Sequence, residues 1–102
     1  MNEVVYKTPI FFESMENAGL PNENEIFIIG TQQHPKWAYL RCPCGCTEIL
    51  GVTLMKSIQP HWSVEFDENQ CVTFSPSIRV VASQFNCKSH FFIRHNKVVW
   101  CY

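Results

Sequence analysis

Along most of the chain, apolar and polar positions alternate with the period of strands. Residues 36–42 set Trp37, Tyr39 and Arg41 against Ala38, Leu40 and Cys42. Residues 61–66 oppose Trp62, Val64 and Phe66 to His61, Ser63 and Glu65, the pattern of a half-buried strand. Apolar, β-branched segments at 4–7, 25–29, 46–55, 71–74, 78–82, 89–94 and 97–101 read as further strands. Gly30 stops one of them. The Asp67–Asn69 stretch is a turn, and His95-Asn96 makes a two-residue hairpin turn. One helical turn is expected at 13–18, capped by Ser14 and stopped by Gly19. About eight short strands at this spacing predict a mainly β fold, a compact antiparallel sandwich or rolled sheet with little helix. Function in such a fold sits on loops and strand ends.

The length of 102 residues, 46% apolar, suits a single domain. It excludes a Rossmann cofactor site with a separate substrate domain. Within that domain, 1–35 form an N-terminal segment and 36–101 the core around a candidate metal site. Aromatic content of 14% excludes disorder. A net charge of −1 argues against a coat for nucleic acid, so no nucleic-acid partner is expected. No apolar run is long enough to span a membrane. The start, MNEVVYKTPIFF, lacks the pattern of a secretory signal. A cytoplasmic protein is therefore expected, in a compartment where disulfides are rare. Residues 1–30 carry net −4 and the remainder net +3, which reads either as chance with a solvated acidic edge or as a mildly basic working face.

Six cysteines change the picture. Cys42, Cys44 and Cys46 fall in one CPCGC turn, where Pro43 and Gly45 permit a tight bend. Thiolates held this close before folding finishes suit zinc. If a strand starts at Cys46, that thiol and Glu48 share a face. His61 follows Pro60, and His90 closes Cys87-Lys88-Ser89-His90. His34 and His95 read as surface residues, and Cys71 and Cys101 as buried hydrophobes. Two zinc arrangements follow. A closed, structural one uses two CPCGC thiols with Cys87 and His90. An open one uses one CPCGC thiolate, His61 and His90, keeping water as fourth ligand beside Glu48. Spacing slightly favours the closed form. Dithiol redox chemistry at Cys42 and Cys44 is a third reading. Ser77, after Pro76, can donate to a developing oxyanion, although Ser75-Pro76-Ser77 also reads as a plain turn.

The pieces WAYLRCPCGCTE, HW at 61–62, TFSPSI and NCKSHFFIRHNKVVWC resemble a family of small bacterial domains. They are predicted metallohydrolases named for a Cys-Glu-His-His (CEHH) constellation. The resemblance covers about 36–101. Its members are encoded beside E1-like, E2-like and ubiquitin-like proteins. This chain departs from the pattern at Phe92, at Thr47 and in the extended VVASQFN connection.

The resemblance implies the open arrangement, with Zn2+ held by a CPCGC cysteine, His61 and His90, and Glu48 as general base. Cys46 is the favoured thiolate and Cys44 the runner-up. The implied function is a zinc-dependent peptidase or isopeptidase cleaving after the C-terminus of a ubiquitin-like modifier, with Ser77 or a backbone N–H assisting at the oxyanion. The partners implied are a ubiquitin-like protein or its conjugates, and E1-like or E2-like proteins. On this reading Glu48→Gln keeps zinc and loses turnover. The alternative is a non-catalytic, zinc-stapled binding module in the same pathway.

Overall fold

A computed structural model describes residues 3–80 and 87–101. The strands among them are β1 (Ile10–Phe12), β2 (Ile26–Gly30), β3 (Pro35–Arg41), β4 (Ile49–Thr53), β5 (Ser63–Phe66), β6 (Val72–Ser75), β7 (Ile78–Arg79), β8 (His90–Arg94) and β9 (Lys97–Trp100). One helical turn, α1 (Met15–Ala18), lies between β1 and β2, with Ser14 at its N-cap and Gly19 beyond its end.

The strands form three sheets, in the orders β1-β2-β3-β4, β5-β6 and β7-β8-β9. The mainly β expectation therefore holds. One departure is β1, which pairs parallel to β2 in an otherwise antiparallel set. Residues 4–7 contribute only an isolated bridge, Val5 to Lys97. The expected strand 78–82 is Ile78–Arg79, and its residues 81 and 82 lie outside the described ones. The N-terminal residues are not peripheral: β2 is an inner strand, buried from Ile26 to Ile29.

The core follows from the alternation. Ala38 and Leu40 on β3, Val52 on β4, Phe74 on β6, Ile78 on β7 and Phe91 and Ile93 on β8 turn inward and are buried. Burial of side chains of this size stabilises by roughly 2 kcal/mol each before the entropy of ordering them is set against it. The β8–β9 hairpin closes through His95 and Asn96, both left-handed (φ 49 and 69), the requirement of a type I′ turn. Asn96 is also buried. Its Oδ1 accepts the Val72 N–H at 2.7 Å, its N–H donates to the Val72 carbonyl at 2.9 Å, and its carbonyl accepts the Tyr6 N–H at 2.7 Å.

The strand expected over 46–55 begins later, at Ile49. Gly45 (φ 92) and Thr47 (φ 70) are left-handed, which breaks extended geometry through Cys46. Contrary to expectation, Cys46 and Glu48 therefore do not share a strand face, so strand alternation does not single out Cys46 as a thiolate beside Glu48.

Candidate functional site

The CPCGC bend leaves β3 at Arg41 and returns to β4 at Ile49, tied by the Cys42 N–H to the Glu48 carbonyl at 2.8 Å. Its thiols are stacked on the backbone in series. Cys42 Sγ accepts from the Cys44 N–H, Cys44 Sγ from the Cys46 N–H, and Cys46 Sγ from the Glu48 N–H. Cys87, on the segment leading into β8, completes the group. The Sγ atoms of Cys42, Cys44, Cys46 and Cys87 all lie within 4.8 Å of one another. Cys42 is 3.3 Å from Cys44 and 3.6 Å from Cys87, and Cys44 is 3.4 Å from Cys87. Ser89 Oγ lies 3.4 Å from Cys42 Sγ and 3.1 Å from Cys87 Sγ.

These distances test the fit of a metal. A disulfide needs about 2.05 Å, and all six cysteines are free. A tetrahedral zinc with four sulfurs about 2.3 Å away sets them ~3.8 Å apart. Cys42, Cys44 and Cys87 stand slightly closer together than that figure, at 3.3–3.6 Å, and Cys46 lies within 4.8 Å of each of them. Without a cation the thiols ionise unequally. Burial pushes the Cys42 thiol well above its ordinary value, against the hydrogen bond from Ser89, and burial also raises Cys46. Burial opposes ionisation at Cys44 as well, but the contacts from Ser89, Cys42 and the Cys46 N–H outweigh it and bring the thiol to about 6. A divalent cation deprotonates such thiols outright. The residues present fit zinc.

The histidines expected at the metal are elsewhere. His61 Nδ1 lies 3.0 Å from the Ile58 carbonyl, and its ring lines a cavity of about 490 Å³ with Leu54, Trp62 and Glu65. His90 Nε2 lies 2.7 Å from Ser77 Oγ. The open centre of one thiolate with His61 and His90 is not assembled, and neither is the closed one that borrowed His90. The reason is register. His90 begins β8, and its side chain leaves the strand on the face that carries Ser77. Cys44 and Cys46 are brought together, with Cys42 and Cys87, into an all-sulfur group whose four atoms would complete a tetrahedral shell. Glu48 is half-buried and outside it. A C-x-C-x-C run was the sequence signal for taking all three turn thiols together.

The second constellation lies on β7 and β8. These strands pair Ile78 with Phe91 and Arg79 with His90. Ile78 and Phe91 point into the core, so Ser77, Arg79, His90 and Phe92 share the opposite face. Ser77 and His90 are diagonal neighbours there, close enough for a hydrogen bond. Trp62 holds the backbone of Ser77: its Nε1–H donates to the Ser77 carbonyl at 3.2 Å. The Arg79 guanidinium lies 3.2 Å from His90 Nδ1. Arginine only donates, so this contact puts the ring proton on Nε2, facing Ser77. Sequence reasoning named Ser77 and His90 but not as partners, and it passed over Arg79.

No helix among the described residues is long and apolar enough to cross a membrane. No curated protein and no solved structure matches the chain. Residues 12–101 match the model of a family described as "Bacterial ubiquitination-like system serine protease (BubE)". The expected association with ubiquitin-like systems is thereby supported, whereas the description names serine and not a metal. With 12–101 covering most of the chain, this protein belongs to the bacterial ubiquitination-like system serine protease (BubE) family.

Proposed function

We propose that this chain is a serine peptidase, with Ser77 as nucleophile and His90 as general base, that cleaves after the C-terminal residue of a ubiquitin-like modifier. Its substrates are conjugates or precursors of that modifier. E1-like and E2-like proteins of the same system are its cytoplasmic neighbours. The observation that carries this reading is the 2.7 Å contact between Ser77 Oγ and His90 Nε2. A hydroxyl within hydrogen-bond reach of an imidazole is the core of nucleophilic acyl transfer.

In the reaction, Ser77 Oγ attacks the carbonyl carbon as His90 Nε2 takes its proton. The tetrahedral intermediate collapses, the C–N bond breaks, and the proton passes from His90 to the leaving amine. Water, deprotonated by His90, then attacks the acyl-Ser77 ester, and the Ser77 oxygen leaves with the proton returned to it. The attack needs an unprotonated Nε2. Arg79 must therefore leave Nδ1, because its donation there holds the opposite tautomer. Arg79 occupies the position that a carboxylate fills in a Ser-His-Asp triad.

The cysteine group has a different part. Zinc bound by four thiolates supplies a rigid cross-link and no open position. It would join the CPCGC bend to Cys87, three residues before His90, and so fix the start of β8. This favours a stapled enzyme over both a zinc hydrolase and a stapled module without chemistry. Glu48 as general base belongs to the zinc-hydrolase reading.

The test uses a ubiquitin-like modifier fused to a short C-terminal extension. The expected result is processing that is lost in Ser77→Ala, together with covalent labelling of Ser77 by a fluorophosphonate. Processing that survives Ser77→Ala and disappears in Glu48→Gln would instead establish the metal mechanism.

A further inference from the structure

Trp62 links two sheets at Ser77, and each ends on an edge strand that is open, among the described residues, beyond the Trp62 contacts. β4 is the last strand of its sheet and β7 the first of its own, and they do not pair with each other. Between them runs a cavity of about 300 Å³ lined by Glu48, Ile49, Gly51, Trp62, Arg79 and Val80, among others.

The hydrogen bonds show which backbone groups face this slot. On β4, the Leu54 N–H goes to Lys36 and the Glu48 carbonyl to Cys42, so even-numbered residues point at β3. The odd-numbered ones, Ile49 and Gly51, point away from β3. Thr53 confirms the alternation, because its carbonyl accepts the Trp62 N–H at 2.8 Å. On β7, the Val80 N–H donates to the Ser89 carbonyl at 2.8 Å, so Ile78 and Val80 point at β8 and Arg79 points away from it. Ser77 agrees, since its carbonyl is turned to Trp62. Trp62 thus bridges β4 and β7 at the Ser77 end. Glu48 and Val80 mark the other end.

We infer that the slot between β4 and β7 receives the substrate's extended chain as an added strand, joining the two sheets and delivering the scissile bond to Ser77. This rests on the peptidase reading and specifies its substrate as an extended, unfolded tail. A chain running toward Ser77 lies parallel to β4 and antiparallel to β7. Paired backbone donors and acceptors on two walls fit one occupant, another polypeptide backbone, which uses alternate residues on alternate sides.

The test is an amide chemical-shift titration of the full Ser77→Ala chain with the peptide acetyl-Thr-Val-Thr-Val-Gly amide. The expected result is shifts and slowed exchange at the Ile49, Gly51 and Arg79 amides at millimolar peptide. N-methylation of either of two consecutive residues weakens the Kd about tenfold, the equivalent of one hydrogen bond. Binding that tolerates N-methylation at every second position would mean addition to one edge only and overturn the two-walled slot. Absence of shifts at these three amides overturns it altogether. Ile49→Pro, which removes a donor facing the slot and none facing β3, gives the same tenfold loss with an unchanged melting temperature. Catalysis is read separately. Intact binding with no Ser77-dependent turnover in the parent chain fails the peptidase reading and leaves the slot standing.

Discussion

The cysteine group and the Ser77–His90 pair adjoin only at Cys87–His90, and they are built in opposite ways. Three of the four sulfurs come from a five-residue turn whose own N–H groups point at them. The pair on β7 and β8 has no local origin. It exists because Ile78 faces Phe91 in the ladder, which sets two residues 13 positions apart on one diagonal. The first is a cross-link that composition can announce, and the second is a product of register. They meet at Cys87–His90, where the segment held by sulfur becomes the strand carrying the imidazole.

That division of labour can be broken from either side. The largest expected effect is on turnover: Ser77→Ala lowers kcat/KM on the order of 10³-fold or more while leaving the thermal midpoint in place. Removing the cross-link gives the complementary result. Cys42→Ser, or stripping with a chelator, lowers the melting temperature by roughly 10 °C or more, and activity falls with it because His90 loses its anchor. Metal analysis of the parent chain should find zinc, with cobalt substitution giving an all-sulfur spectrum. A Cys42→Ser chain as stable as the parent would mean that the bend holds itself.

Smaller effects sharpen the comparison. Arg79→Ala releases His90 Nδ1 and raises the rate of fluorophosphonate labelling about threefold, with no change in stability. A slower rate would make Arg79 a substrate contact instead. The smallest effect lies away from both regions. The hydrogen bond from His95, at 2.8 Å, and the Cys71 N–H hold the Asp67 carboxyl below its ordinary range. A depressed carboxylate adds stability above the ordinary carboxylate pKa and loses it as pH falls through the lower, folded value. Asp67→Asn therefore flattens the acid limb of a melting-temperature profile and leaves neutral-pH proteolysis alone.

Much of the strand pattern was legible because burial alternates along Trp37–Arg41 and again along Ser63–Phe66. The parallel pairing of β1 was not, since Ile10, Phe11 and Phe12 form a short apolar run without alternation. The bend was legible as a thiol cluster. Its ligand set was not, because choosing between Cys87 and a histidine requires knowing which way β8 turns its side chains. Glu48 drew attention through an assumed strand that Thr47, with its positive φ, does not allow. Ser77 and His90 were each visible as residues able to carry chemistry, but their partnership depends on an antiparallel register that no local pattern specifies.

Asn96 carries one more implication. Hairpin tips are ordinarily the safest places to splice in a tag or permute a chain. Here the tip residue is sealed inside, bonded to β6 and to the segment around Tyr6. An epitope or fusion partner grafted between His95 and Lys97 should pull apart three separate stretches of backbone at once, so labelling strategies belong at some other loop.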